Sequence, residues 1–140
     1  MKNKNLVIWK IINGKSIEYK LLDGYKEIGT ISLIIAHVYN NYIDENIYKY
    51  IEEHLGKKRD KLIYISGLSV LKEDRGKGYG RSLLRHALNE FKGYVAMLHA
   101  QTMDYDTMNN ESLCNFYKSE GFEFAPFDGK SMRLMINNND

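Results

Sequence analysis

The sequence predicts an α/β fold, a mixed β-sheet flanked by helices, and three observations carry this prediction. Strand-like apolar segments separated by turn signals fill the first 39 residues. A strand, a helix and a second strand follow one another between residues 62 and 103. With 140 residues and 44% hydrophobic content, the chain also has the size of a single domain, 1–140, and enough apolar side chains for a core.

The N-terminal segment is predicted to form three antiparallel strands. Residues 6–12 are rich in β-branched and aromatic side chains, and Asn13-Gly14 is a strong hairpin signal before the alternating apolar residues of 16–22. A turn at Asp23-Gly24 precedes a strand at 26–39, whose near-continuous apolar run is typical of a buried strand. His37, near the end of that strand, is interpreted as a structural residue.

A helix is predicted for residues 42–55, where apolar side chains recur at helical spacing. Asn41 or Asp44 is suited to cap its start, and Gly56 is suited to end it. The basic segment 57–61 that follows is interpreted as a solvated loop.

The centre of the chain is predicted to be a strand–helix–strand unit. Residues 62–71 form the first strand, and Gly67 inside it indicates a bulge or the close approach of a ligand. The helix that follows Gly80 has one apolar face and ends at Gly93, and residues 94–103 form the second strand. Two strands joined in this way are expected to be parallel, with a right-handed crossover.

The C-terminal part is predicted to contain a third helix and two short strands. The helix starts at Asn109 or Asn110, runs to about residue 120 and stops at Gly121. The strands are expected at 122–125 and 131–136, around a Pro-Phe-Asp-Gly turn. The last four residues, 137–140, are expected to fray.

Composition excludes several classes of protein. The 20 basic and 18 acidic residues are spread along the chain and give a net charge of +2, which is too weak a field to favour a nucleic-acid partner. One cysteine, Cys114, excludes an internal disulfide and a multi-cysteine metal site, so we expect no metal. No apolar run approaches the ~18 residues of a membrane span, and 6–12 lacks the features of a signal peptide. We therefore expect a cytoplasmic protein that does not enter a membrane.

Residues 75–80, Arg-Gly-Lys-Gly-Tyr-Gly, connect the predicted central strand to its helix. Glycines let a backbone approach a ligand closely, and the free amides at a helix start bind anions, so the segment predicts a phosphate site. Its spacing matches neither the GxxxxGK[ST] phosphate loop nor the GxGxxG dinucleotide motif, because Arg81-Ser82 follow Gly80 and no acidic residue ends the next strand. Kinases and dinucleotide enzymes are therefore disfavoured.

Two segments together resemble one family. Residues 75–80 are similar to the (Q/R)xxGx(G/A) acyl-CoA pyrophosphate motif of the GNAT family of N-acetyltransferases, with Arg75, Gly78 and Gly80 at its defining positions. Residues 110–122 resemble the NxxAxxxYxxxGF helix of the same family, with matches at Asn110, Tyr117, Gly121 and Phe122. Two motifs at the expected separation are more specific than either alone, and the resemblance covers about residues 62–136.

The resemblance implies the GNAT-like acyl-CoA N-acyltransferase fold, with a central splayed mixed sheet and acyl-CoA between the strands at 62–71 and 94–103. Backbone amides across 76–81 would hold the pyrophosphate, and strand amides near 68–70 would pair with the pantetheine arm. One of these strand amides would also polarise the thioester carbonyl. The implied cofactor-binding residues are Leu68, Ser69, Val70, Arg75, Gly76, Lys77, Gly78, Tyr79, Gly80, Arg81, Asn110 and Tyr117.

The resemblance further implies an acetyltransferase that transfers the acetyl group of its cosubstrate, acetyl-CoA, to a primary amine by direct attack in a ternary complex. Tyr117 occupies the family's general-acid position, from which a phenol can protonate the departing thiolate. Many members carry a basic glutamate on the strand before the glycine loop, but 62–71 contains no carboxylate. The candidate bases are therefore His99, Asp104 or Asp106, or a water chain, and His99 ranks first because its ordinary pKa suits a base near neutral pH.

The N-terminal half departs from the family's usual pattern. Members usually build the acceptor pocket from two helices after the first strand, whereas here three strands precede a single helix at 42–55. The amine acceptor therefore stays open between small molecules, such as polyamines, aminoglycosides or amino acids, and protein amines, and the oligomeric state stays open between monomer and homodimer. An alternative hypothesis is a catalytically inactive member that binds CoA or a protein partner in a regulatory role. Cys114 is interpreted as a core residue.

Overall fold

The computed structural model describes residues 5–35, 45–58, 60–100, 110–125 and 134–140. Within them the elements are β1 Leu6–Asn13, β2 Ser16–Asp23, β3 Lys26–Ile35, α1 Glu45–His54, β4 Leu62–Val70, α2 Tyr79–Glu90, β5 Val95–His99, α3 Asn110–Ser119, β6 Glu123–Phe124 and β7 Leu134–Asn137. These strands form one sheet in the order β1-β2-β3-β4-β5-β7-β6. The β4–β5 pair is parallel and the other neighbours are antiparallel, which confirms the predicted mixed sheet.

The three N-terminal strands form the predicted antiparallel meander. Each connection is a two-residue loop that begins with a glycine, Gly14 at φ 64° and Gly24 at φ 63°. A glycine with positive φ at the first loop position is typical of the type II′ turn, whose twist matches that of the flanking strands. The strand predicted at 26–39 is observed as β3 as far as Ile35, and residues 36–39, with His37, lie outside the described residues.

The helices cover different faces of the sheet. Helix α2 buries the predicted apolar face, including Leu83 and Leu84, in a cluster that also contains residues of β2, β3 and α3. Helix α1 packs through Ile47 and Ile51 against the opposite face of β4, β5 and β7. The sheet therefore separates two apolar clusters, and any group at the β4–β5 boundary faces one or the other.

The C-terminal segment differs from the prediction. Strand β7 lies between β5 and β6, and residues 137–140 are not frayed. Asn139 is 9% exposed, and its side-chain amide donates hydrogen bonds of 2.9 Å to the carbonyls of Leu88 and Phe91. These carbonyls lie at the end of α2, where the helix itself supplies no N–H partner. The prediction was wrong because the polar Asn-rich sequence gives no sign of this distant acceptor pair.

Other element boundaries also differ from the predicted ones. The strand predicted at 94–103 ends at His99, and a 3-10 helical turn that the sequence did not predict occupies Lys72–Asp74. The short strands expected at 122–125 and 131–136 are β6 and β7, with residues 131–133 outside the described part. Among the helices of the described segments, none has both the length and the apolar character needed to cross a membrane.

Candidate functional site

Strands β4 and β5 are paired over only three positions and then separate. The paired residues end with Tyr64 opposite Met97. Beyond this point β5 pairs with β7, while β4 continues to Val70 with no described strand on its β5 side. The backbone groups of β4 past Tyr64 are therefore placed to bind a strand-like ligand, because an unpaired strand edge is a template for an added strand. This is the splay that the family resemblance implies.

A bulge in β4 accompanies the separation. Ser32 of β3 is opposite Gly67 and Leu33 is opposite Ile65, so Ser66 is an extra residue in β4. The Ser66 hydroxyl donates a hydrogen bond of 3.3 Å to the carbonyl of Ser32. A bulge bends and twists its strand, which accounts for the divergence of β4 from β5. The bulge predicted from Gly67 is confirmed.

The glycine segment forms the start of α2. Gly76 and Gly78 have φ of 81° and 88°, which strains any residue with a side chain, whereas Gly80 has no such φ. The first N–H with an intrahelical partner is that of Ser82, which donates to the Gly78 carbonyl at 3.0 Å. The amides before Ser82 in the first turn therefore point out of the helix end, where the helix dipole favours an anion. The first turn contains no acidic residue.

The basic side chains of this segment are held by neighbours in the fold. Arg75 Nε donates to the carbonyl of Val70 at 3.0 Å. Lys77 lies 3.3 Å from Asp74, a carboxylate that is 4% exposed and also lies 3.0 Å from Lys26. The hydrogen bond from Lys26 is the main cause of the lowered pKa of Asp74. An anion at this helix start would therefore be held chiefly by backbone amides.

Arg81 belongs to a separate ion-pair cluster. Its Nε lies 2.7 Å from Glu120, and Arg85 Nε lies 2.8 Å from the same carboxylate, which is 4% exposed. The Arg81 guanidinium also lies over the Phe116 ring at 5.4 Å. These contacts join α2 to the end of α3. The role of Glu120 was not predicted, because a glutamate next to a helix stop carries no signal of its partners on another helix.

A small cleft lies beside the glycine segment. It has a volume of about 230 Å³ and is lined on one side by Ser69, Val70 and Arg75 and on the other by residues of β3. The predicted cofactor-binding residues of β4 and of the glycine segment are thus neighbours in the fold. Asn110 is the first residue of α3, and its side chain lies outside the described residues.

Tyr117 is a buried residue of α3. It is 7% exposed, and its ring makes edge contacts with Phe116 and Phe122 at centroid distances of 5.1 and 5.7 Å. Burial raises the pKa of Tyr117 to about 12. The phenol therefore keeps its proton at neutral pH, as a proton donor must. No hydrogen bond of its hydroxyl group to another described residue is observed.

His99 lies at the end of β5, where the two parallel strands have separated. Its Nδ1 is hydrogen-bonded to the Tyr64 hydroxyl group, and its Nε2 is buried with no hydrogen-bond partner among the described residues. Burial lowers the pKa of His99. Because side chains alternate along a strand, His99 shares the α1 face with Met97, whereas Tyr117 lies in the cluster on the other face. The two candidate catalytic groups thus flank the sheet from opposite sides.

Tyr64 is a second residue that the sequence analysis missed. It was part of the apolar run of a central strand, and only the register of β4 against β5 brings it to His99. The other candidate bases, Asp104 and Asp106, lie outside the described residues.

Comparison with known proteins identifies one family. The profile of the family described as acetyltransferase (GNAT) domain matches residues 22–124. No curated protein matches the chain significantly at the level of sequence.

Solved structures of the same fold include PaiA N-acetyltransferase from Thermoplasma acidophilum in complex with coenzyme A, with a TM-score of 0.58 and 20% identity over 88% of this chain and 60% of that one. The ribosomal-protein-S18-alanine N-acetyltransferase from Escherichia coli has a TM-score of 0.57 and 14% identity over 90% of this chain and 70% of that one. The anti-CRISPR protein AcrVA5 has a TM-score of 0.52 and 22% identity over 86% of this chain and 96% of that one. This chain therefore spans less than two thirds of the Thermoplasma protein.

Proposed function

The chain belongs to the GNAT family of acetyltransferases, and from this membership we propose that it transfers the acetyl group of acetyl-CoA to a primary amine by direct attack in a ternary complex. The observation that carries the proposal is the joint presence of a helix start with free backbone amides at 76–81 and a β4 edge that separates from β5. A pyrophosphate and an extended arm are the two parts of CoA that fit these features.

The binding residues of the proposal follow from the backbone. Backbone amides in 76–81 would donate hydrogen bonds to the pyrophosphate oxygens. These are the amides of Gly76, Lys77, Gly78, Tyr79, Gly80 and Arg81. Amides and carbonyls of Leu68, Ser69 and Val70 would pair with the pantetheine arm as an added strand pairs with a sheet edge. One of these amides would stabilise the negative charge that develops on the thioester oxygen. Bound acetyl-CoA supplies the thioester that the amine attacks.

The chemical step needs one base and one acid. In the proposal, His99 accepts the proton that the ammonium form of the acceptor must lose, the amine nitrogen forms a bond to the acetyl carbon, and the bond from that carbon to sulfur breaks. Tyr117 donates its proton to the departing sulfur, and its phenolate regains a proton as the nitrogen gives up its second one to form the neutral amide. His99 and Tyr117 lie on opposite faces of the sheet, and the thioester would lie in the gap between β4 and β5. This placement supports the assignment of one residue as the base and the other as the acid, because each would approach the thioester from its own side.

The proposed base requires one tautomer of His99. If Nδ1–H donates to the Tyr64 oxygen, the lone pair of the neutral ring is on Nε2, the nitrogen for which the described residues offer no partner. Proton acceptance through Nε2 then leaves the Nδ1 hydrogen bond intact. Asp104, Asp106 or a water chain are the alternatives that a His99 variant tests.

The experiment is a binding measurement followed by a transfer assay. Isothermal titration of the folded protein with acetyl-CoA and with CoA is expected to show one site per chain, and mass spectrometry with a panel of polyamines, aminoglycosides, amino acids and peptides is expected to show addition of acetyl groups to an amine. Absence of binding to folded protein would refute the proposal. Binding without transfer to any acceptor class would support the alternative, an inactive member that binds CoA in a regulatory role.

A further inference from the structure

Strand β1 carries exposed apolar side chains on both faces. It is an edge strand of the described sheet, with β2 as its neighbour. The exposed fractions are 42% for Leu6, 48% for Val7, 59% for Trp9, 41% for Ile11 and 63% for Ile12. A long apolar edge strand is a template for pairing with another chain, and folded proteins protect such an edge unless they use it.

The free edge of β1 presents the backbone groups of alternate residues. In a hairpin with a two-residue loop, the pair flanking the loop exchanges hydrogen bonds, and from there bonded and non-bonded pairs alternate. Here the flanking pair is Asn13 and Ser16. The N–H and C=O groups that point away from β2 are therefore those of Leu6, Ile8, Lys10 and Ile12.

We propose that this edge binds the same edge of a second copy of the chain, in an antiparallel two-fold pair with Trp9 opposite the partner's Trp9. In a continuous sheet, residues opposite each other lie on the same face. In a two-fold pair, one residue of β1 therefore lies opposite the same residue of the partner, beside the symmetry axis. In this register all four outward-pointing residues are paired, position 6 with 12 and position 8 with 10. About eight main-chain hydrogen bonds then join the two copies.

The same register joins the exposed side chains. Val7 lies opposite the partner's Ile11, and Leu6 lies opposite the partner's Ile12. The Trp9 pair and the pairs of positions 7 and 11 are non-hydrogen-bonded sites, where Cα atoms are about 4.5 Å apart and side chains contact most closely. Aromatic pairs and β-branched pairs at such sites stabilise a sheet.

The neighbouring registers fit less well. A pair centred on Lys10 places two ammonium groups opposite each other, which is destabilising. A pair centred on Ile8 places Ile12 opposite residue 4, which lies before the start of β1. Each of these registers pairs fewer of the outward-pointing backbone groups than the register centred on Trp9.

Lys10, the one charged residue of β1, does not protect the edge. Its Nζ lies 3.1 Å from Glu90 Oε1 on α2, and Glu90 also accepts a hydrogen bond of 3.2 Å from the Tyr19 hydroxyl group. The ammonium charge is thus balanced within its own copy. The two edges therefore meet without an uncompensated charge from β1. Because the edge matches itself in length, in hydrogen-bond register and in charge, a second copy of the chain is the favoured occupant.

The proposed interface is small. One strand pair with its flanking side chains buries about 1,000 Å² over both copies, near the lower limit for specific association. We therefore expect a dissociation constant in the micromolar range. Trp9 is the only tryptophan of the chain, so its fluorescence reports directly on this interface.

The first test measures association of the full chain. Sedimentation velocity between about 1 and about 300 µM is expected to show a monomer converting to a dimer, with a blue shift of tryptophan emission as Trp9 becomes buried. Trp9→Lys is expected to raise the dissociation constant at least about tenfold. Tyr25→Lys, at a fully exposed aromatic residue of the β2–β3 turn, is the matched control and should leave it unchanged. A monomer at every concentration would overturn the proposal.

A second test addresses the backbone edge. Ile12→Pro removes an outward-pointing N–H that does not bond β2, so the hairpin is expected to persist while dimerisation is lost. Ile12→Thr retains that N–H and is expected to retain the dimer. Circular dichroism confirms that both variants fold. A dimer that persists in Ile12→Pro would contradict edge pairing.

The register is tested with single cysteines at positions 8, 9 and 10. Native Cys114 is buried and does not compete. At about 300 µM under mild oxidation, Trp9→Cys is expected to form a crosslinked dimer, because the Cα separation of a non-hydrogen-bonded pair lies in the range of disulfides. Preferential crosslinking of Ile8→Cys or Lys10→Cys, or no crosslinking of any of the three, would overturn the Trp9 register.

Discussion

The Tyr64 hydroxyl group is hydrogen-bonded to Nδ1 of His99 where β4 and β5 separate, and the ring centroids are 5.5 Å apart. Tyr64 is in the last pair of the parallel ladder, and His99 is two residues beyond it on β5. The pair therefore stands at the opening in which acetyl-CoA is proposed to bind. The His99 Nε2 atom, which has no hydrogen-bond partner in the part of the chain that the structure describes, is the group that the proposed mechanism uses.

The base assignment predicts the effect of His99→Gln. We expect kcat to fall about 10²- to 10⁴-fold, the usual contribution of a positioned base, while the affinity for acetyl-CoA is unchanged. Steady-state kinetics and titration calorimetry measure the two quantities. If kcat stays within about twofold of the wild-type value, the base is another group, such as Asp104 or Asp106.

The pH dependence follows from the lowered pKa of His99. A base works in its unprotonated form, so a lower pKa extends activity to lower pH, and the acidic limb of the kcat/KM profile is expected to have its midpoint below 6.5, the ordinary pKa of histidine. With Nδ1–H as the donor, as the proposed mechanism requires, Tyr64→Phe removes an acceptor of the imidazolium, so the pKa of His99 is expected to be lowered further. The midpoint should move to still lower pH and kcat should fall, whereas a purely structural role of Tyr64 would leave the midpoint in place.

Gly80 offers a matched pair of substitutions. Its φ is not positive, and an added Cβ would meet Val70 Cγ2 at 3.7 Å, an ordinary contact, so Gly80→Ala is expected to fold and bind acetyl-CoA within about tenfold of wild type. Gly80→Asp places a negative charge in the first turn of α2, where the pyrophosphate is proposed to bind, and should weaken binding at least about 100-fold. Calorimetric titration distinguishes them. Equal affinities of the two variants for acetyl-CoA would show that the pyrophosphate does not bind at this helix start.

The general-acid assignment predicts that Tyr117→Phe retains binding but lowers turnover. The substitution keeps the ring and its contacts with Phe116 and Phe122, so stability should change by less than about 1.5 kcal/mol. Removal of the proton donor should lower kcat by about 10²-fold or more. Thermal unfolding and steady-state kinetics check the two parts. Turnover at the wild-type rate would show that Tyr117 is only a core residue.

The ion pairs of Glu120 predict a loss of stability. The Glu120 carboxylate is 4% exposed and contacts both Arg81 and Arg85. Glu120→Gln is expected to lower the free energy of unfolding by about 1–3 kcal/mol, because hydrogen bonds to a charged acceptor weaken. Urea denaturation measures the change, with the exposed Glu111→Gln as control. Identical midpoints for wild type and Glu120→Gln would mean that the pairs act as weak surface contacts.

Much of the fold is predictable because it depends on neighbours in sequence. Gly14 and Gly24 mark turns that require a positive φ, and Gly67 marks the bulge of β4. The apolar period of 3.6 residues that ends near Gly93 defines α2. The helix start at 76–81 is likewise local, since free amides and left-handed glycines are properties of consecutive residues.

The sequence by itself thus determined the order of strands and helices, the GNAT resemblance and the glycine-rich helix start at 76–81. Only the tertiary structure decided which distant side chains meet. The hydrogen bond of Tyr64 to His99, the two arginines on Glu120 and the capping of α2 by Asn139 depend on strand register and on how α2 and α3 pack. Backbone preferences act over a few residues, whereas these contacts join residues far apart in the chain through the relative positions of whole elements, which no short segment encodes.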